Sequence, residues 1–316
     1  MTIANEISWS PQPLFGVPGS LPDLCRWVFG PVSQAEYPNI VGMILNGSDG
    51  MFDGERLAQF PGLRVISSYG IGYDHIDVHY ANQRGIVVAH TPDAVTISTA
   101  EMAVALLLSL IRELPAYHNQ ANSHGKVLTG SGTGLSLELY GKTVGIVGYG
   151  RIGQRIGQLL GPFGVTVHYT RAHGPHPEDR ERWQPLAKLL ETSDIVMLVV
   201  PATRDTYHLM DQDAIASMKP GALVVNIGRG PVIDEGALVN ALEAGHLKGA
   251  ALDVFEDEPL IHPGLLNRSN VVLSPHRGTS TYETRLRMTE AAIANVVHAL
   301  RGHPICLVPE STAYKP

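Results

Sequence analysis

The sequence is poor in cysteine and in clustered positive charge. Its 316 residues include two cysteines, Cys25 and Cys306, and neither belongs to a C-x-x-C pair. This spacing supports neither a disulfide scaffold nor a zinc motif, so we expect no metal. Lys and Arg together number 23 against 30 Asp and Glu, which gives a formal net charge of −7, and no dense basic run occurs. The charge pattern therefore argues against a nucleic-acid partner.

Long hydrophobic runs are also absent. Residues 1–6 have neither the basic start nor the apolar stretch of a signal peptide. The longest apolar run, 102–108, has roughly half the length that a bilayer span requires, and we interpret it as part of a buried helix. We therefore expect a cytoplasmic protein with no membrane partner.

What the chain does contain is a regular alternation of apolar runs with helical patterns. Hydrophobic residues make up 44% and charged residues 17% of the sequence, as in globular proteins, and the length suggests two domains. The alternation predicts parallel βαβ units and doubly wound sheets. Strands are predicted over 40–45, 63–67, 86–89, 143–147, 166–170, 195–200, 222–227, 249–254 and 270–273. Helices are predicted over 99–122, 151–163, 186–190, 211–218, 234–244 and 281–300, with a surface loop over 124–137. The first 40 residues match no motif.

The sharpest local motif is Gly148-x-Gly150-x-x-Gly153, which follows the predicted strand 143–147 and opens a helix. In this context Gly148 permits a tight turn, Gly150 lets the backbone approach a pyrophosphate, and Gly153 allows close packing of helix on strand. Unpaired N–H groups at the helix start, which includes Arg151 and Ile152, face the phosphates. The motif predicts a dinucleotide site.

The end of the next strand bears on which dinucleotide binds. An NAD site places an acid about 20 residues after the glycines, on the ribose 2′-hydroxyl. Here the strand ends in Thr170 and Arg171, with no acid. Since a guanidinium binds a 2′-phosphate that a carboxylate would repel, we favour NADPH, with NADH as the alternative cofactor. No second Arg or Lys occurs in 172–177, where His173 is the nearest basic residue.

Three later strands end in residues that carry chemistry. Arg229 follows one strand, Glu258 the next and His276 the third. Because the carboxyl ends of parallel strands share one edge of a sheet, these side chains are expected at the ligand crevice. His276 is the natural proton donor to a carbonyl oxygen, Glu258 can orient and charge its ring, and Arg229 can clamp a carboxylate.

These segments together with the glycine motif resemble the D-isomer-specific 2-hydroxyacid dehydrogenases, and most of all their NADPH-linked glyoxylate/hydroxypyruvate reductases. The resemblance runs from about residue 63 to about residue 300. It implies an α/β fold of two doubly wound parallel-sheet domains, with a Rossmann-type coenzyme domain (98–287) inserted in a flavodoxin-like substrate domain (1–97 plus 288–316). It also implies a homodimer whose contact includes the helix after Thr99 and the loop that follows it.

The resemblance further implies a catalytic triad of Arg229, Glu258 and His276. Further cofactor contacts implied by the family are Pro201, Thr206, Ile227, Gly228, Asp253 and Gly278. The substrate would meet Arg229, His276 and the turn Gly70-Ile71-Gly72, whose backbone N–H groups can form an anion nest.

The implied reaction is reduction of a small 2-keto acid to the D-2-hydroxy acid by hydride transfer, with His276 as the proton donor. Two alternatives stay open. The substrate could be a larger keto acid, such as 2-ketogluconate or hydroxyphenylpyruvate, because the pocket cannot be sized from sequence. The chain could also be a non-catalytic dinucleotide-sensing protein, which the triad alone does not exclude.

Overall fold

The computed structural model describes residues 5–125 and 135–314, and these residues form two compact units. The first unit comprises Met1–Val95 with Thr279–Pro316, and the second comprises Thr96–Gly278. These units divide the chain at 95/96 and 278/279, whereas the sequence predicts boundaries at 97/98 and 287/288. The later division differs by nine residues because the whole of the last helix packs on the sheet of the first unit.

The strands and helices are numbered in chain order. The strands are β1 (Ile7–Ser10), β2 (Arg26–Phe29), β3 (Ile40–Leu45), β4 (Val65–Ser68), β5 (Val87–Ala89), β6 (Thr143–Val147), β7 (Thr166–Thr170), β8 (Ile195–Leu198), β9 (Ala222–Asn226), β10 (Leu247–Leu252) and β11 (Val271–Leu273). The helices are α1 (Gly54–Ala58), α2 (Val78–Gln83), α3 (Pro92–Ile111), α4 (Leu114–His124), α5 (Arg151–Leu160), α6 (Leu186–Thr192), α7 (Gln212–Ala216), α8 (Glu235–Glu243) and α9 (Tyr282–Leu300).

The first unit is built on a parallel sheet with the strand order β2-β1-β3-β4-β5. This is the flavodoxin-like order that the resemblance implied. Strand β3 is buried along its whole length. Its adjacent residues Met43 and Ile44 point to opposite faces of the sheet and belong to different apolar clusters. The sheet is therefore covered on both faces, as a parallel sheet requires. Helix α9 covers one face with residues such as Ala292 and Val296.

The second unit is built on a six-stranded parallel sheet with the order β11-β10-β9-β8-β6-β7. The chain goes from β6 outward to β7 and then returns to β8 on the other side of β6. This reversal creates a switch point at the carboxyl end of β6, where open α/β sheets bind ligands. Adjacent residues such as Val224 and Val225 enter separate apolar clusters, so this sheet also has a core on each face.

The long helix differs from its prediction at both ends. Helix α3 begins at Pro92 rather than Thr99, because proline fits the first helical turn, where its missing N–H would have no intrahelical partner. It ends at Ile111, and Glu113, with a φ of 55°, separates it from α4. Of the loop expected over 124–137, residues 126–134 lie outside the described residues.

Helix α3 is also a test of the membrane prediction. Among the described residues it is a helix long and apolar enough to cross a bilayer by length and composition alone. More than half of its most apolar window, 56%, is buried within the protein. Residues such as Ala103, Leu107 and Leu110 enter a core cluster of the second unit, which is the environment of a core helix.

Candidate active site

The glycine motif forms a tight turn between β6 and α5. Gly148 has a φ of 101°, and a Cβ atom there would lie 2.7 Å from the carbonyl oxygen of Val199. Gly153 is equally restricted, because its Cβ would lie 2.1 Å from the carbonyl oxygen of Gly148. These two positions thus require glycine for conformation and for close packing of the helix on the strand.

Gly150 differs from the other two glycines of the motif. It caps the start of α5 with a φ of −84°, and a Cβ atom there would meet nothing within 4 Å. Its backbone therefore faces open space beside the first N–H groups of the helix. That geometry fits a pyrophosphate at the helix start.

Thr170 and Arg171 lie beside this turn. The N–H of Gly148 donates to the carbonyl oxygen of Thr170 at 3.0 Å, and Thr170 pairs with Val147 in the sheet register. Arg171, the first residue after β7, is therefore at the same sheet edge as the glycine motif. This is the place where an NAD site carries an acid.

The segment after β8 is held mainly by its own hydrogen bonds. The Oγ1 of Thr206 donates to the carbonyl oxygen of Pro201 at 2.6 Å and accepts from the N–H of Thr203 at 2.8 Å. Gly228 packs against this segment, because its Cβ would lie 2.6 Å from the carbonyl oxygen of Val200. The geometry gives Thr206 a role in shaping the loop, and its cofactor contact stays a prediction.

The loop that carries Arg229 is shaped by the buried side chain of Asn226. Its Oδ1 accepts from the N–H of Gly228 at 3.0 Å, and its Nδ2 donates to the carbonyl oxygen of Arg229 at 2.9 Å. Gly230 then passes so near the next strand end that its Cβ would lie 1.8 Å from the carbonyl oxygen of Phe255. Because of this approach, the loops of Arg229 and Glu258 run together.

His276 and Glu258 form a hydrogen-bonded pair. The Nδ1 of His276 lies 2.9 Å from Oε2 of Glu258, and the side chains are 49% and 38% exposed. Burial works to raise the pKa of Glu258, but His276, the N–H of Phe255 and the positive charge of Arg229 outweigh it. The pKa of Glu258 therefore lies below its ordinary value, and the carboxylate is ionised at neutral pH. The Nε2 atom is on the opposite side of the imidazole ring from this bond.

Asp253 organises the backbone on which His276 stands. Its buried carboxylate accepts from the N–H of Arg277 at 2.7 Å and from the N–H of Gly278 at 2.8 Å, while its carbonyl oxygen accepts from the N–H of His276 at 2.8 Å. His276 has a φ of 52°, a left-handed conformation that few non-glycine residues adopt. The three bonds stabilise that conformation and thereby set the direction of the imidazole.

A second acid, Glu256, connects the loop of Glu258 to neighbouring elements. The carboxylate of Glu256 contacts Nε2 of His208 at 2.5 Å and accepts from the N–H of Glu235 at 3.2 Å. The carboxylate of Glu235 in turn accepts from the N–H of Glu256 at 3.0 Å. Burial raises the pKa of Glu235, and the neighbouring Glu256 adds to the effect. The loop of Glu258 is thus tied to the start of α8.

The turn Gly70-Ile71-Gly72 lies in the first unit, after β4. Gly70 has a φ of 156°, and its carbonyl oxygen accepts from the N–H of Thr91 at 2.8 Å. The carbonyl oxygen of Ile71 is 2.9 Å from Nδ1 of His90, and that of Gly72 accepts from Ser68 at 2.5 Å. The carbonyl groups therefore point into the surrounding protein, which suits a turn whose N–H groups receive an anion.

The structure thus brings Arg229, Glu258 and His276 to one edge of the second unit, which is also the edge of the glycine motif. Sequence reasoning missed the residues that hold them there, namely Asn226, Glu256 and the backbone-bonding role of Asp253. A polar residue that closes an otherwise apolar strand, as in Ala222–Asn226, was the available signal.

Comparisons with known proteins agree with this architecture. The family profile described as D-isomer specific 2-hydroxyacid dehydrogenase, NAD binding domain, matches residues 104–278. The glyoxylate reductase of Thermococcus gammatolerans is 40% identical over 257 residues, which cover 79% of this chain and 77% of the relative. That of Pyrococcus furiosus is 41% identical over 263 residues, covering 79% and 76%.

Solved structures give the same result. An NADPH-dependent glyoxylate/hydroxypyruvate reductase from Sinorhizobium meliloti, solved in complex with NADP and malonate, superposes with a TM-score of 0.89 at 32% identity and covers 99% of both chains. The chain belongs to the D-isomer-specific 2-hydroxyacid dehydrogenase family. It is an oxidoreductase that uses a nicotinamide cofactor and reduces a 2-keto acid, and the predicted fold class is confirmed.

Proposed function

We propose that the protein is an NADPH-dependent reductase of small 2-keto acids, of the glyoxylate and hydroxypyruvate type, that forms D-2-hydroxy acids in the cytoplasm. The observation that carries the proposal is the pair of His276 and Glu258, 2.9 Å apart, on the sheet edge that also carries the glycine motif and Arg171. The relatives named glyoxylate reductase, and the NADP bound in the Sinorhizobium meliloti structure, support it.

The roles follow from the chemistry of each group. A bound reduced nicotinamide would supply the hydride to the carbonyl carbon. Negative charge then develops on the carbonyl oxygen, and the protonated imidazole of His276 donates the proton from Nε2. Glu258 favours the charged imidazole, and Arg229 binds the substrate carboxylate through its planar fork. We further propose that the turn Gly70–Gly72 contributes N–H groups to substrate binding.

We also propose the residues that contact the bound dinucleotide. Gly148, Gly150, Arg151, Ile152 and Gly153 would hold the pyrophosphate, and Thr170 with Arg171 would hold the 2′-phosphate. The remaining contacts proposed are Pro201, Thr206, Ile227, Gly228, Asp253 and Gly278. A homodimer completes the proposal. It is supported by apolar side chains exposed on the second unit, including Leu114 and Tyr140, which are 53% and 78% exposed.

The proposal is tested by steady-state assays of the purified chain with NADPH and NADH against glyoxylate, hydroxypyruvate, 2-ketogluconate and hydroxyphenylpyruvate. We expect the highest kcat/KM for the two small acids, and a higher value with NADPH than with NADH. The variant His276→Ala should lose at least about 100-fold in kcat while it still binds NADPH, because only the proton donor is removed. Preference for the larger acids, or no turnover of any acid, would contradict the proposal.

A further inference from the structure

Two tyrosines stack behind the dinucleotide turn. Tyr149, between Gly148 and Gly150 of the glycine motif, lies on Tyr169 of β7 with ring centroids 3.8 Å apart and planes inclined by 13°. Their exposed fractions are 4% and 0%. A side chain whose backbone belongs to the pyrophosphate turn thus packs on the strand that leads to Arg171.

The segment 171–182, here called the 171–182 loop, leaves β7 and returns beside it. Tyr169 pairs with Trp183 in a parallel bridge, and its carbonyl oxygen accepts from the N–H of Gln184 at 2.9 Å. The hydroxyl of Tyr169 accepts from the N–H of His176 and donates to the carbonyl oxygen of Asp179, both at 2.7 Å. The backbone of the loop is therefore bound at its middle and at its end to the strand that precedes it.

The side chain of Tyr149 binds the same loop. Its hydroxyl donates to Oδ2 of Asp179 at 2.9 Å and accepts from Arg182 at 3.0 Å. Arg182 also donates to Oδ1 of Asp179 at 2.7 Å and pairs with Oδ2. Burial raises the pKa of Tyr149 to about 12, and Asp179 contributes, so the phenol stays a donor at neutral pH.

The charges of Asp179 and Arg182, which both contact the hydroxyl of Tyr149, offset each other. Burial works to raise the pKa of Asp179, but the bonds from Arg182 and Tyr149 and the charge of His176 outweigh it, so the pKa lies below its ordinary value. The carboxylate is ionised and paired with a guanidinium. Because the charge of Arg182 offsets that of Asp179, this carboxylate does not repel a phosphate bound to the same loop, whereas an unpaired carboxylate would.

We propose that Tyr149 is a positioning residue for cofactor selection, whose hydroxyl holds the 171–182 loop through Asp179 and thereby fixes Arg171 relative to the pyrophosphate turn. The inference rests on the proposed function, because it assigns Arg171 to the 2′-phosphate of NADPH. One side chain then couples the two phosphate sites of the dinucleotide. NADH has no 2′-phosphate, so its binding does not depend on where Arg171 is held.

The test is the variant Tyr149→Phe, which keeps the stacked ring and removes only the hydroxyl. We expect the KM for NADPH to rise about three- to tenfold, the range of one lost hydrogen bond, while the KM for NADH changes less than about twofold and kcat is unchanged. The matched control is Tyr73→Phe, which removes the 2.7 Å phenol–carboxylate bond to Glu310 in the first unit. It should leave the ratio of the two KM values as in the wild type.

A double-mutant cycle with Asp179→Ala isolates the bond. If Tyr149 acts through Asp179, Tyr149→Phe should not change the KM ratio further in the Asp179→Ala background. Additive effects, an unchanged ratio in Tyr149→Phe, or equal rises in both KM values would overturn the inference while the proposed function stands. A wild type that does not prefer NADPH would overturn the cofactor assignment and the inference together.

Discussion

At His276 the backbone and the ring are fixed by different acids. Asp253 holds the N–H groups of Arg277 and Gly278, which keeps His276 in its left-handed conformation, while Glu258 holds Nδ1. Strained backbone of this kind persists only where the surroundings over-determine it, and it is found preferentially at functional sites. The proposed proton donor is thus both oriented and electrostatically supported.

The charge of Glu258 can be tested apart from its shape by Glu258→Gln. The pKa of Glu258 is held below its ordinary value, so the wild-type side chain is an anion across neutral pH. Glutamine keeps an oxygen that can accept from the imidazole but carries no charge. We expect kcat for keto-acid reduction at pH 7 to fall about tenfold, because the neutral amide no longer stabilises the positive charge of the proton donor.

The control for this prediction is Asp257→Asn, which removes the charge of the adjacent, exposed carboxylate. Its kcat should match that of the wild type. A wild-type kcat in Glu258→Gln would show that the charge of this carboxylate does not contribute to proton donation.

The candidate catalytic side chains could be predicted from the sequence, but not all of the residues that hold them in place. Arg229, Glu258 and His276 stand in recognisable motifs at strand ends. By contrast, the bonds of Asn226 and Asp253 run to backbone N–H and carbonyl groups, and a backbone group has no signature in the sequence. Such residues emerge only when the loop conformations are known.

At the scale of elements, the glycines of the dinucleotide motif meet two different requirements: close packing of helix on strand, and space for a phosphate. Gly153 has no room for a Cβ atom, whereas Gly150 has open space and a φ accessible to alanine. We expect Gly153→Ala to cost about 1–3 kcal/mol of stability and to lower Tm by several degrees, because α5 must move from β6. Gly150→Ala should keep the wild-type Tm yet bind NADPH about tenfold more weakly, since its methyl group enters the phosphate position.

Thermal melts and fluorescence titrations with NADPH would measure both effects in parallel. If Gly150→Ala binds NADPH as the wild type does, the pyrophosphate does not lie on this turn. If Gly153→Ala has the Tm of the wild type, the close approach of helix and strand is not required for stability.

The elements themselves were predictable in proportion to how continuous their apolar runs are. The buried strands β3 and β6 agree with the predicted ranges 40–45 and 143–147. Strands β1 and β2 have four residues each and were missed. Strand β1 alternates Ile and Trp with two serines, and β2 is an edge strand with only three apolar residues after Arg26, so neither has a long apolar run.

At the scale of the whole molecule, the proposed homodimer can be measured directly. The N–H of Leu137 donates to the carbonyl oxygen of Ile111, which brings the chain near Leu135, 87% exposed, to the end of α3 and so toward Leu114. Exposed apolar side chains gathered in this way are typical of an interface. Light scattering should therefore give roughly twice the chain mass of 34.1 kDa.

The variant Leu114→Asp should shift this mass toward one chain, because a buried unpaired charge opposes association. The control Met51→Asp replaces a side chain of similar exposure, 51%, in the first unit and should leave the mass unchanged. A wild type that weighs one chain would contradict the homodimer.

The placement of the candidate chemistry within Thr96–Gly278 has an evolutionary consequence. The proposed proton donor, its orienting acid, the guanidinium and the dinucleotide turn are therefore all encoded in one contiguous stretch of gene. We expect that substitutions in the flanking segments can change the preferred keto acid while the proposed proton donor keeps its surroundings.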